Sequence, residues 1–245
     1  MFKQLVIGFL FCAISLNSFG QEKNEVVTKS RYRPGIFWFL TGWKNGKAPK
    51  YDRLMFDITY NDWVGDRKTF AMKGPSMGMN VSWLFDIPLA KNGVVSFAIG
   101  PNYGLYNLHH NLPVYYDQAT KTTSYGENEQ AGNFGKIKLV GHQLTVPVEF
   151  RFRTKGLQHF KVHIGGKIGY QLSLFNKERH TINGKEEKFK NKDSKDINRL
   201  VYSAHVRLGV RNFALYASYN FNPFYSGESS TKLHLLQLGL TVSLF

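Results

Sequence analysis

Two pairs of residues in this 245-residue chain have the types and spacing of reactive groups. Ser203 and His205, two apart, share one face of any strand that carries them. With a carboxylate such as Glu149 they would supply nucleophile, base and orienting acid for acyl transfer, the chemistry of a lipid-modifying enzyme. No nucleophile motif surrounds them, and the strand directions inferred below set Glu149 toward one end and Ser203 toward the other, which weakens that alternative. His109 and His110 are adjacent, so on extended backbone their rings point apart. With no cysteine or close carboxylate to complete a ligand set, they read as a solvated loop pair. No catalytic residue, cofactor or metal is expected.

A larger constellation is built of charges. Asp57, Glu149, Arg151, Lys161, Lys167, His163, His205, Arg207 and Arg211 all occupy the polar positions of segments whose alternate positions are large and apolar. Charges withdrawn from water must be paired or wetted, so these residues predict an ion-pair and water network enclosed by strands. A proton or ligand path is the alternative.

The elements that must position them follow from period-two alternation. Eight segments show it, with apolar faces Leu54–Tyr60, Met77–Phe85, Val95–Leu105, Leu144–Phe152, Phe160–Leu172, Tyr202–Val210, Phe213–Phe221 and Leu236–Leu244. In the fourth, Leu144, Val146, Val148, Phe150 and Phe152 oppose Gln143, Thr145, Glu149, Arg151 and Arg153. Connections after the second, fourth and sixth segments are short (86–93, 154–158 and Arg211-Asn212). Those after the first, third, fifth and seventh are long and hydrophilic (62–75, 107–135, 176–198 and 222–231). This alternation predicts an all-β fold, an eight-stranded antiparallel up-and-down transmembrane barrel with short periplasmic turns and long extracellular loops. Aromatics sort into two belts, with Tyr60, Trp63, Tyr103, Tyr170, Tyr202, Tyr219 and Phe221 toward the long loops and Phe85, Phe150, Phe152, Phe160, Phe213 and Phe245 toward the short turns. A soluble lipocalin-like barrel or sandwich also alternates, but it has no need of this sorting.

Composition narrows the function classes. Apolar residues make up 42% and charged residues 20%, too polar for a bundle of membrane helices. The first 20 residues carry Lys3, an apolar run from Leu5 to Leu16 and small residues before Gln21, the pattern of a signal peptide over 1–20. It contains Cys12, the sole cysteine, so the exported chain has no thiol. Residues 21–52 read as a periplasmic arm rich in Lys and Arg, in which Arg31, Arg33, Phe37 and Trp38 are candidates for contact with a protein partner in the periplasm or envelope or with anionic headgroups. The barrel is assigned to 53–245. Formal charge is +15, yet export and the lack of any nucleic-acid-binding motif argue against nucleic acid. The Lys-rich third connection, Lys177 to Lys195, reads as a solvated flexible loop, with phosphate binding at a lipopolysaccharide surface as a secondary reading.

The C-terminal strand Gln237-Leu238-Gly239-Leu240-Thr241-Val242-Ser243-Leu244-Phe245 resembles the signal by which outer-membrane assembly machinery recognises its clients, carried here by Gln237, Gly239, Val242, Leu244 and Phe245. The strand Gln143-Leu144-Thr145-Val146-Pro147-Val148-Glu149-Phe150 and the Ser18-Phe19-Gly20-Gln21 cleavage site resemble the PorT-like small outer-membrane barrels abundant in Bacteroidota. The resemblance implies a barrel bathed in outer-membrane lipid and lipopolysaccharide, assembled by that machinery. Through one member it also implies a scaffold or accessory role in an envelope assembly such as type IX secretion or gliding. A narrow pore or ligand-binding barrel is the further alternative.

Overall fold

In a computed structural model, the described residues are 52–66, 74–90, 94–111, 114–125, 134–154, 160–182, 185–191 and 194–244. The expected signal peptide, the arm up to residue 51 with Arg31, Arg33, Phe37 and Trp38, and Phe245 lie outside them. The strands in chain order are β1 (Leu54–Gly65), β2 (Met77–Trp83), β3 (Phe85–Pro88), β4 (Val95–Ile99), β5 (Asn102–His110), β6 (Val114–Asp117), β7 (Thr122–Tyr125), β8 (Phe134–Arg153), β9 (Phe160–Ile182), β10 (Lys185–Asn191), β11 (Leu200–Val210), β12 (Phe213–Asn220) and β13 (Leu233–Ser243).

Antiparallel pairing runs β8-β9-β11-β12-β13-β1-β2-β5 and returns to β8, so eight strands close a ring and leave it no free edge. Followed in register from Asp57 through Asn80 and Gly104, the ladder meets β8 at Gln143. Followed the other way through Thr241, Ala214, Gly209 and Lys161, it meets β8 at Arg153, a stagger of ten residues. At about 3.3 Å per residue and 4.8 Å per strand, that stagger tilts the strands by about 40°, as closure of a small barrel requires.

The apolar stripes read from the sequence face outward. Ile58, Met79, Leu144, Phe150, Ile164, Ile168, Leu215 and Leu240 are all exposed, while the alternate positions Asp57, Asn80, Thr145, Glu149, His163, Lys167 and Thr241 are buried. A ring with grease outside and charge inside is stable only where hydrocarbon surrounds it. No helix among the described residues is long and apolar enough to cross a membrane, and the strands do not need one.

Several expectations are corrected. Leu84 breaks the second segment into β2 and β3, and Gly100-Pro101 breaks the third into β4 and β5, because proline cannot donate to the ladder. The third long connection is not simply a loop: β9 runs on to Ile182 and β10 pairs with it from Lys185 to Asn191. Within the second connection, β6 and β7 form a separate hairpin. Trp63, expected in the outer aromatic belt, is 1% exposed, because it continues the inward set of Asp57, Thr59 and Asn61. Arg211 occupies the two-residue turn between β11 and β12 with φ of 54° instead of joining the enclosed charges.

Candidate functional site

The interior is layered along the barrel, and each layer follows from which polar or apolar residues the alternation turns inward. At the long-loop rim Trp63, Tyr106, Leu108, Leu139, Leu174, Phe224, Tyr225, Leu233 and Leu235 form a buried apolar cluster. Below it lies a layer of neutral polar side chains. Tyr106 donates to Gln171 at 2.9 Å, Gln237 and Thr59 each donate to the Asn61 carboxamide oxygen at 3.0 Å, and Thr145 donates to Asn102 at 2.9 Å. Asn80 keeps both side-chain polar atoms buried without a protein partner, the setting in which ordered water is found.

Toward the short turns lies a charged floor. Arg207, on β11, grips Asp57 on β1 with two bonds, Nε to Oδ1 at 3.2 Å and Nη2 to Oδ2 at 2.9 Å, and its Nη1 donates to Glu149 Oε1. Arg151 forks onto Glu149 Oε2 through Nε and Nη2, each at 2.9 Å, and reaches Asp86 Oδ1 at 2.7 Å. Arg153 pairs with Asp86 Oδ2 at 2.8 Å and with Asp52 Oδ2 at 3.4 Å. Lys161 Nζ sits 3.2 Å from Asp52 Oδ1 and donates to Ser243 at 2.9 Å. Four carboxylates (Asp52, Asp57, Asp86, Glu149) thus face four cations (Arg151, Arg153, Lys161, Arg207). That balance is what allows eight charges to share an enclosed space.

Two histidines and a fifth cation complete the set. His205 Nε2 lies 2.9 Å from Glu149 Oε1, and His163 lies between Asp52 (3.6 Å) and Glu149 (3.8 Å), beyond hydrogen-bond reach of both. Lys167 has no carboxylate within ion-pair distance among the described residues. Its Nζ donates to the Tyr216 hydroxyl at 2.5 Å and lies 5.2 Å from that ring's centroid, while the Arg207 guanidinium lies 4.9 Å from the same centroid.

The structure therefore brings Asp57, Glu149, Arg151, Lys161, His163, His205 and Arg207 together, with Lys167 at the margin and Arg211 outside. Sequence reasoning left Asp86 in a turn and Asp52 in the arm, and did not single out Arg153. Asp86 and Arg153 were within reach of the alternation: Asp86 continues the inward set of Asn80 and Ser82, and Arg153 continues that of Glu149 and Arg151. Nothing in the pattern marks Asp52, which precedes β1 and is 6% exposed. Its backbone carbonyl accepts from Arg151 Nη1 at 2.9 Å, so side chain and main chain are both fastened at the short-turn mouth.

The acyl-transfer alternative is altered by the register. His205 lies opposite Gly165, which lies opposite Glu149, and Ser203 is two residues further along β11, so Glu149 and Ser203 are not at opposite ends. Glu149 and His205 are hydrogen-bonded, but the Ser203 hydroxyl makes no bond to His205, and Arg151 and Arg207 both engage the same carboxylate. His110, expected in a solvated loop, is 1% exposed on β5, with Nε2 3.3 Å from Asn176 and its ring 5.5 Å from that of Trp63. Of the C-terminal signal, Gln237 faces inward and Gly239 lets β1 approach, since a Cβ there would sit 2.1 Å from the Ile58 carbonyl oxygen.

A closed eight-strand ring with an apolar exterior and an ion-paired floor defines a membrane β-barrel. The profile of the family described as outer membrane protein beta-barrel domain matches residues 53–224, more than two thirds of the chain. The chain belongs to that family and resides in the outer membrane. Among solved structures it is similar to neisserial surface protein A, with 14% identity, a TM-score of 0.33, and coverage of 78% of this chain and 96% of that one. It is also similar to a mutant porin of Rh. blastica, with 6% identity, a TM-score of 0.19, and coverage of 77% and 98%. Among curated proteins, none matches.

Proposed function

We propose that the protein is a non-enzymatic scaffold or accessory component of an envelope assembly. Its short turns and N-terminal arm face the periplasm and its long connections face the cell exterior. The observation that carries this reading is the fastening of Asp52. Asp52, the residue that ends the arm, is held at the short-turn mouth of the barrel by Lys161, Arg153 and Arg151. A basic segment with Phe37 and Trp38, tethered to a rigid body, suits capture of an acidic periplasmic partner. Layers of side chains along the interior weigh against solute passage, and the absence of a Ser203–His205 contact weighs against lipid modification. The resemblance of the fourth-segment strand to PorT-like barrels makes secretion or gliding machinery the first place to look.

The test is photocrosslinking from positions 31, 33, 37 and 38 in living cells, followed by mass spectrometry of the adducts. Recurrent capture of one periplasmic or envelope protein, lost when residues 21–50 are deleted with the barrel still assembled, is the expected result. Adducts with lipid alone would overturn the scaffold role.

A further inference from the structure

Lys167 carries an enclosed positive charge that no carboxylate among the described residues answers. The residue is 4% exposed, and of the three protons on its ammonium group one is donated to the neutral Tyr216 hydroxyl at 2.5 Å. The charged floor does not neutralise it, because Asp52, Asp57, Asp86 and Glu149 are already matched by Arg151, Arg153, Lys161 and Arg207. Arg207 adds to the excess, since its guanidinium and Lys167 Nζ lie 4.9 and 5.2 Å from the centroid of the same Tyr216 ring. A charge taken out of water without a counter-charge is costly.

The stagger places other polar groups at the height of Lys167. Ten residues over eight strands make each strand crossed in register worth about one and a quarter residues of height. From Asn80 the ladder passes through Gly104 and Gln143 to Gln171, three strands on and so about four residues too high, which sets Lys167 level with Asn80. In the other direction it passes through Asp57 and Thr241 to Ala214, about four residues too low, which sets Ser218 at that level as well. All three side chains are buried on the inner face. Asn80 lies over Gly104, where a Cβ would come within 2.8 Å of its Oδ1, and neither its Oδ1 nor its Nδ2 has a protein partner. The Ser218 hydroxyl has none either. Asp57, about one residue lower on β1, is occupied by both bonds from Arg207 and by the Thr241 hydroxyl.

Water would satisfy Asn80 and Ser218, but it leaves the charge on Lys167 uncompensated. Enclosure between the apolar cluster at the long-loop rim and the paired floor limits a counter-ion to about the size of a halide. We propose that Lys167, with the Asn80 carboxamide and the Ser218 hydroxyl as neutral donors, holds one such anion, chloride in the cell, inside the barrel. The ion completes the interior as a fixed part of it and follows no path across the membrane. It is also independent of what the arm captures.

The test uses the protein unfolded in urea, refolded into detergent micelles in sodium bromide and crystallised. Anomalous scattering at the bromine edge is expected to show one ion per barrel against Lys167 Nζ, and none there in Lys167→Met. A second measurement follows urea unfolding of the parent while chloride replaces gluconate, an anion too large to be enclosed, at constant ionic strength. Above the dissociation constant of a single bound ion, each tenfold rise in free chloride raises the folding equilibrium constant by about tenfold. Lys167→Met loses that dependence, whereas Ser218→Ala keeps it but needs more chloride to show it. Heat-dependent mobility on gels verifies that each variant retains the barrel, and should the methionine variant not refold, the two measurements on the parent decide alone. Bromide seated on surface lysines, an adventitious ion only, would overturn the proposal. So would a parent indifferent to chloride, or an equal chloride response in Lys167→Met. None of these outcomes bears on crosslinking from the arm, so the two readings fail separately.

Discussion

Arg207 and Asp57 stand 150 residues apart in sequence and face each other across the barrel, joined by two parallel hydrogen bonds of 3.2 and 2.9 Å. Neither lies on a strand adjacent to the other's: β11 is separated from β1 by β12 and β13. The pair is a tie between non-neighbouring staves, and it forms only when the ring has closed.

The first prediction concerns that tie. Arg207→Ala leaves Asp57 and one oxygen of Glu149 without their cation in an enclosed space, and losing one partner of a buried pair costs about 3–5 kcal/mol. Replacing both partners, Arg207→Met with Asp57→Leu, recovers part of that loss because no charge is stranded at Asp57. Urea unfolding followed by heat-dependent gel mobility measures both. A double variant as unstable as the single one would show that Glu149 is the partner that matters.

The second concerns pH and Asp52, which precedes the membrane-crossing strands. Burial works to raise its pKa, but Lys161, Arg153, His163 and Arg151 together hold it well below the ordinary carboxylate value of 3.8. A carboxyl depressed in the folded state stabilises fully above its unfolded value and loses that contribution as pH falls through the folded one. The stability difference between the parent and Asp52→Asn is therefore flat from pH 8 to about 5 and shrinks only below about 4. Unfolding midpoints of both proteins across that range check it, and a difference that vanishes near pH 6 would show that the Asp52 carboxylate does not govern the effect.

The ring of strands was legible because its physics is periodic. Once Leu144, Val146 and Val148 share a face, Gln143, Thr145 and Glu149 must share the other, whatever surrounds them. The same rule covers Arg153, which stands on the polar face of the fourth segment, and reaches Asp86 one residue past Phe85. Three features were not legible for a different reason. Asp52 lies outside any alternation, Trp63 carries an apolar side chain on the polar face, and β10 depends on β9 continuing above the membrane, where hydrocarbon no longer enforces a pattern. The charged floor was legible as a set of residues but not as a set of pairs, because the ten-residue stagger that brings β11 to β1 is a property of closure.

The third prediction tests the fit between Tyr106 and Gly141, which lie opposite each other on β5 and β8. A Cβ on Gly141 would come within 2.0 Å of the Tyr106 ring, so the ring lies in the space the glycine leaves. Gly141→Ala must move Tyr106 and break its bond to Gln171, a change that costs about 1–3 kcal/mol by overpacking. Shortening the tyrosine in the same chain, Gly141→Ala with Tyr106→Leu, restores the space, and unfolding midpoints that show no such rescue would place the strain elsewhere.

The fourth concerns the long-loop rim, where Asp196 fastens three connections at once. Its carboxylate accepts from the Thr123 hydroxyl, from the Thr123 amide at 3.1 Å and from Ser230 Oγ at 2.5 Å, and its carbonyl accepts from the Ser226 amide at 2.8 Å. A hydrogen bond to a charged acceptor contributes about 1.5–3 kcal/mol, so Asp196→Ala raises the population in which the β6–β7 hairpin is released by roughly tenfold or more. Trypsin reports the release directly, because Lys121 is exposed in that hairpin and Lys232 adjoins the fourth long connection, which carries Ser226 and Ser230. Cleavage after Lys121 is expected to accelerate by that factor, while sites on the short-turn rim are cut at the parent rate. An equal acceleration at both rims would mean that the substitution loosens the whole barrel, and the latch would then be no more than part of its general stability.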